Sequence, residues 1–211
     1  LLNIPEYGCV NLHASLLPEY RGAAPIQQAI IDGKKITGVT TMYMDEDWDT
    51  GDMIYKKNVE IESKDNAGTL HDKLASIGAD LLVKTLIDIK KGVAPRQKQN
   101  HDKATYVKKI DKSSGEINWG KTAKDIYNLV RGLNPWPGAF TFYNNDLFKI
   151  WETKVIDKND INNILDKSNN NNKPGKIITA DDKYGLLIST GDGIISIKKI
   201  QLAGKKSMEI K

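Results

Sequence analysis

Asn11 and His13 stand two residues apart, directly ahead of the turn Ser15-Leu16-Leu17-Pro18. Asp49 follows within the acidic run Asp45-Glu46-Asp47-Trp48-Asp49-Thr50-Gly51-Asp52. Successive side chains of a β-strand alternate between faces, so a strand over residues 9–13 puts Asn11 and His13 on the same face. An amide beside an imidazole brings a hydrogen-bond donor and a titratable donor or acceptor to one spot. A carboxylate arriving on a later loop can orient that imidazole or take up a proton. Neither segment presents a covalent nucleophile. The set suits transfer of an acyl group to an external amine, with the protein stabilising charge on the acyl oxygen. The plain alternatives are a core histidine and a solvated loop acid. The other acids around Asp49 offer hard oxygens of the kind Mg²⁺ or Ca²⁺ takes, but their spacing does not fit an EF-hand loop, and no metal is expected.

The elements that must position these residues are legible as patterns. Pro25 opens a helix to Ile31, because its fixed φ and missing N–H suit a first helical turn. The β-branched run from Gly38 to Met44 reads as a strand, and Met53 to Ile61 as the next, with the acidic loop between them. Thr69 to Lys90 carries Leu70, Leu74, Ile77, Leu81, Leu82, Thr85, Leu86 and Ile89 at helical spacing, a core stripe closed by Gly92 and Pro95. Residues 93–110 lack periodicity and read as a linker. Beyond it, Ile117-Asn118-Trp119 reads as a short strand and Thr122 as the cap of a helix through Val130. A hairpin spans Phe140 to Ile156 around Asn144-Asn145-Asp146. Residues 157–174 form a low-complexity loop, and strands recur at 176–179, 184–189 and 193–200. Short strands with tight turns suggest a small OB-like β-barrel suited to nucleic acid. The chain therefore divides as 1–92, a linker at 93–110, and 111–211.

Composition is that of an ordinary globular protein, with 39% hydrophobic and 27% charged residues, and no apolar stretch approaches bilayer length. The single Cys9 excludes an internal disulfide, which suits a reducing compartment. The net charge of +4 is uneven: −2 over residues 1–105 and +6 over residues 106–211. A basic second half fits RNA contact, although surface lysines alone would produce it.

The run Ser15-Leu16-Leu17-Pro18-Glu19-Tyr20-Arg21-Gly22-Ala23-Ala24-Pro25-Ile26 resembles the folate-dependent formyltransferases. So do Asn11-Leu12-His13, Asp49-Thr50-Gly51-Asp52-Met53, Asn134-Pro135-Trp136-Pro137 and Ala203-Gly204-Lys205-Lys206, and the likeness spans nearly all 211 residues. The Gly-Ala-Ala-Pro-Ile, Asp-Thr-Gly-Asp-Met and Ala-Gly-Lys-Lys pieces resemble the members acting on methionyl-tRNA. The Asn-x-His, Ser-Leu-Leu-Pro and Pro-Trp-Pro-Gly pieces are shared with members acting on amino-sugar nucleotides.

The resemblance implies an α/β chain: the C-terminal portion of a Rossmann-like formyltransferase domain, with the Asn11 strand in a parallel sheet, followed by the OB-like domain. It implies a cytoplasmic enzyme, monomeric when complete and not bound to membrane. That enzyme moves a formyl group from 10-formyltetrahydrofolate to the amino group of methionyl initiator tRNA for translation initiation. Asn11 and His13 would hydrogen-bond the formyl oxygen, while Asp49 would hold His13 and accept or relay the proton of the attacking amine. Ser15, Leu16, Leu17 and Pro18 would line the folate site through backbone polar groups and apolar side chains. Lys205 and Lys206 would meet RNA phosphates. Family members usually carry Gly where this chain has Asp47, which leaves the loop path around Asp47 open but not the role of Asp49. Arg21 is left as either a ligand for the folate tail or RNA phosphate, or a structural arginine, and Trp136 as a packing residue at the domain junction. The resemblance also implies that the first strands of the sheet and the extreme C-terminus lie outside this sequence, so that the piece alone is expected to be inactive and poorly soluble. Two other functions remain: formylation of an amino-sugar nucleotide, and an RNA-binding module without catalysis.

Overall fold

A computed structural model of the chain describes residues 2, 4–157 and 173–210. It divides into two compact units, residues 1–30 with 34–110, and residues 31–33 with 111–211. The segment 93–110, expected as a linker, falls within the first unit.

In the first unit, β1 (Val10–His13), β2 (Arg21–Gly22), α1 (Pro25–Ile31), β3 (Ile36–Tyr43), β4 (Met53–Glu60), α2 (Ala67–Lys90) and β5 (Tyr106–Val107) follow in order. One sheet has the order β1-β3-β4, and β2 pairs separately with β5. Both pairings of the three-stranded sheet are antiparallel. For β3 and β4 the reason is local: the acidic loop alone joins them, too short for the crossover a parallel pair needs.

In the register of β1 on β3, Asn11 lies opposite Met42 and His13 opposite Thr40. Residues directly opposite share a face, so these four side chains occupy one side of the sheet. Leu12 and Val39 occupy the other, packed with Ala29, Ile30, Leu70 and Leu74 under α2. Burying a leucine there contributes about 1.5–3 kcal/mol. Helix α2 starts two residues before the expected Thr69. The Asn66 side chain caps the Thr69 amide at 2.9 Å, and the Thr69 hydroxyl accepts from the Asn66 amide at 3.0 Å, a reciprocal cap. The predicted stripe fails at Leu86, which is 51% exposed. The buried Thr85 takes the inward position, and its hydroxyl donates to Thr41 Oγ1 at 2.9 Å; one residue further on, a helix has turned by about 100°.

In the second unit, α3 (Ala123–Gly132) precedes β6 (Ala139–Tyr143), β7 (Asp146–Val155), β8 (Ile177–Asp181), β9 (Gly185–Ser189), β10 (Ile194–Leu202) and β11 (Met208–Glu209). Thr122 caps α3 as expected, accepting from the Asp125 amide at 3.0 Å. The strands form one antiparallel sheet in the order β6-β7-β10-β9-β8, with β11 added on β10. Its end strands β6 and β8 do not pair with each other among the described residues. Asn144 and Asn145 both have positive φ, 51° and 68°, as a two-residue hairpin turn with right-handed strand twist requires. The core joins Ala123, Ile126 and Val130 of α3 to Ile150, Ile188, Ile195 and Ile197.

Residues 117–119 form no strand. Asn118 accepts from the Gly120 amide at 2.9 Å and turns the chain locally instead. Trp136 is 52% exposed rather than packed, and the apolar anchor of that turn is the wholly buried Leu133. The low-complexity loop expected at 157–174 lies, at 158–172, outside the described residues.

Candidate active site

The buried His13 ring has Nε2 3.0 Å from the Tyr20 carbonyl oxygen. A carbonyl only accepts, so Nε2 carries a proton and donates. Nδ1 therefore points the other way, 3.8 Å from Asp49 Oδ2. That distance is too long for a hydrogen bond but short enough for charge attraction. Nδ1 is thus the ring nitrogen without a hydrogen bond among the described residues, beside the Asp49 carboxylate. Asn11, on the same face and half-buried, makes no side-chain hydrogen bond among the described residues, which leaves its amide free to donate.

Asp49 is held at both ends. Its Oδ2 accepts from the Gly22 amide at 2.8 Å. Its backbone carbonyl accepts from Gln99 Nε2 at 2.8 Å, and the same NH₂ donates to the Gly51 carbonyl at 2.8 Å. The left-handed residue of the acidic loop is Asp49 itself, φ +56°, and not Asp47. This costs a non-glycine residue about 1–2 kcal/mol. Gly51 is required for a different reason: a Cβ there would sit 1.9 Å from the Tyr43 carbonyl oxygen. Of the neighbouring acids, Asp45 accepts from the Thr50 hydroxyl at 2.6 Å and Asp52 pairs with Arg96 at 2.8 Å.

The turn Ser15-Leu16-Leu17-Pro18 is tied into the protein through the polar groups expected to face folate. The Thr40 hydroxyl donates to the Ser15 carbonyl at 2.7 Å and accepts from the Leu17 amide at 3.2 Å. Lys56 Nζ donates to the Leu17 carbonyl. Burial lowers the Lys56 pKa from the usual lysine value, and the charge of Glu19 works the other way. Ser15 and Leu17 are fully buried, whereas Leu16 and Pro18 keep some exposed surface. Leu17 packs in a small buried cluster with Met42 and Met53.

Arg21, left open between ligand and structural roles, is structural. It is 0% exposed, and its Nε and Nη2 donate to Gln99 Oε1 at 3.1 and 2.7 Å. Nη1 donates to the Tyr106 hydroxyl at 2.9 Å. Gln99 and the β2–β5 pairing escaped the sequence reading. The one available signal was Thr105-Tyr106-Val107, a short β-branched and aromatic run inside the supposed linker. In the second unit, Lys205 and Lys206 are exposed on the β10–β11 turn and make no ion pair among the described residues.

Two family descriptions match this chain: Formyl transferase over residues 1–86, and Formyl transferase, C-terminal domain, over residues 109–211. The chain is 57% identical over 210 residues to the methionyl-tRNA formyltransferase of Halothermothrix orenii, covering 99% of this chain and 64% of that protein. It is 49% identical to that of Acetivibrio thermocellus, over 100% of this chain and 64% of that protein. The chain therefore spans about 64% of the length of these curated relatives. A solved N-formyltransferase from Helicobacter canadensis, in complex with folinic acid and dTDP-3-aminofucose, matches with a TM-score of 0.66 at 22% identity. That match covers 96% of this chain and 66% of that one, and at such identity the likeness is one of fold.

Proposed function

The chain belongs to the formyl transferase family, and from that premise we propose that it carries the catalytic strand and loop of an enzyme formylating methionyl initiator tRNA. The formyl donor in this reading is 10-formyltetrahydrofolate, which supplies an activated one-carbon acyl group. What supports the reading is that Asn11 and His13 share one face of β1 while His13 Nδ1 lies 3.8 Å from Asp49 Oδ2, with the Asn11 side-chain amide making no hydrogen bond among the described residues.

The Asn11 NH₂ and a proton on His13 Nδ1 donate to the formyl oxygen as it takes up negative charge. Such donors, fixed beforehand, need no reorganisation when that charge develops. Asp49 attracts the imidazolium and receives the proton lost by the methionyl amine as its nitrogen bonds to the formyl carbon. The bond from that carbon to the tetrahydrofolate nitrogen then breaks, and the proton passes to the leaving nitrogen. Leu16 and Pro18 take the flat ring of the donor. In the second unit, which we read as an OB-like domain, Lys205 and Lys206 meet RNA phosphate. We place the enzyme in the cytoplasm as a monomer, with a Rossmann-like catalytic domain.

The net +6 of residues 106–211 favours an RNA acceptor over an amino-sugar nucleotide. Formylation assays on the full-length protein decide between them. Transfer to methionyl-tRNA and not to amino sugars is the expected result, and the reverse would overturn the assignment. Binding of RNA without any transfer would reduce the chain to an RNA-binding module.

A further inference from the structure

We infer that Arg21 and Gln99 form a buried brace that positions Asp49, with Gln99 as a positioning residue of the transfer reaction; this rests on the reading of Asp49 above.

Three observations carry it. Arg21 is fully buried and Gln99 is 5% exposed, and among the described residues no carboxylate pairs with the guanidinium. Its neighbours are neutral: Gln99 Oε1, the Tyr106 hydroxyl, and His101 Nδ1 at 3.4 Å from Nη2. A buried charge is costly, and an apolar residue serves packing better. The charge does set the direction of the amide beside it. Because Arg21 claims Oε1 with two N–H groups, the Gln99 NH₂ must point away from it, and a flipped amide would set donors against donors. That NH₂ then grips the Asp49 and Gly51 carbonyls, the two that bracket the turn.

Asp49 occupies a left-handed conformation, which persists only where its surroundings over-determine it. The residue after Arg21, Gly22, holds the Asp49 carboxylate, so the Arg21-Gly22 pair controls both the backbone and the side chain of Asp49. Gly22 can do this because the chain passes close to β5. It has φ +108°, and a Cβ there would lie 2.4 Å from the Val107 carbonyl oxygen. The segment 97–107 is thereby a working part of the catalytic unit. Gln97 exchanges two backbone hydrogen bonds with Met53, and Thr105 accepts from the Tyr20 and Arg21 amides.

The test is Gln99→Glu in the full-length enzyme, with Asp49→Asn and the double variant alongside. Glutamate keeps the volume and gives Arg21 a stronger partner, but it turns oxygen toward the two carbonyls it should hold. The expected result is a folded protein whose kcat falls on the order of 10²-fold, the cost of a misplaced catalytic group, with KM for donor and tRNA nearly unchanged. In the Asp49→Asn background the same change adds almost nothing, because the group it positions is already lost. Tyr106→Phe, at an exposed residue, is the milder second variant. It should lower kcat roughly threefold, in the range of one hydrogen bond, and only when Asp49 is present. A wild-type kcat in Gln99→Glu, or in Tyr106→Phe should the first not fold, overturns the brace while Asp49→Asn remains impaired. Losses that multiply in the double variant also overturn it, since they mark a purely structural role. A fully active Asp49→Asn instead sinks the reading of Asp49 itself.

Discussion

His13 Nδ1 and Asp49 Oδ2 face each other across 3.8 Å, with the other ring nitrogen already committed to the Tyr20 carbonyl. The two atoms are too far apart for a hydrogen bond, so Nδ1 keeps its hydrogen-bonding capacity for a group that approaches beside the Asp49 carboxylate. Asp49→Asn keeps the side-chain shape and removes the charge. In the full-length enzyme kcat should fall by orders of magnitude while folate affinity, measured by equilibrium titration, stays nearly constant. Retention of most of the activity would remove Asp49 from the proton transfer.

Asn11 separates catalysis from stability. Its amide has no protein partner among the described residues, so Asn11→Ala should leave the unfolding free energy within about 0.5 kcal/mol of the parent. Loss of one donor to a developing oxyanion should nevertheless cost about 2.7–4 kcal/mol in the transition state, a 10²–10³-fold fall in kcat. Steady-state kinetics and denaturant unfolding of the same variant check both halves.

Asp65 gives a pH signature. Burial pushes its carboxyl pKa up. The hydrogen bond and charge of Lys73 at 2.8 Å, the Glu62 amide at 2.8 Å and the Thr69 hydroxyl together outweigh burial and hold it below the usual carboxylate value. A carboxylate depressed in the folded state contributes stability that is present above its unfolded pKa and is lost as pH falls through its folded one. Asp65→Asn should therefore cost about 2 kcal/mol near neutrality. The gap to the parent should close below about pH 4, near the unfolded carboxylate value. Urea unfolding at pH 7 and pH 3 would show it; a gap independent of pH would assign the effect to packing.

The basic second half makes a salt prediction. Lys205→Ala and Lys206→Ala should each lower the slope of log affinity for tRNA against log salt by about 1, with little effect on folding. Removing residues 111–211 should weaken tRNA binding strongly, and an unchanged affinity would make these lysines solvated surface.

What sequence made legible was whatever repeats locally. Asn11 and His13 share a face because a strand alternates, Leu70 and Leu74 are buried because a helix has period 3.6, and Thr122 caps α3 because the next turn needs an acceptor. What it hid was non-local. Gln99 looks like any polar residue of a loop, and only a chain path that returns 78 residues later to Arg21 makes it a buried donor to the Asp49 turn. The same holds for Leu86: the stripe was right in period, but Thr85 had a hydroxyl partner on β3 that no helical pattern reveals. The loop path around Asp47 was open in the sequence, and the left-handed residue of that loop is Asp49, where hydrogen bonds from β2 and Gln99 secure it.

The pairing of Arg21-Gly22 with Tyr106-Val107 also has a meaning in time. These partners lie 85 residues apart, and contacts of such separation form late because a long loop must close first. During synthesis Asn11, His13 and Asp49 leave the ribosome well before Gln99 and Tyr106 do. A nascent chain ending near residue 92 therefore holds Asn11, His13 and Asp49 but lacks the segment whose Gln99 grips the Asp49 turn. Competence should appear only when the 97–107 segment has emerged and docked, and a proteolytic nick between α2 and β5 would send the assembled unit back toward that earlier stage.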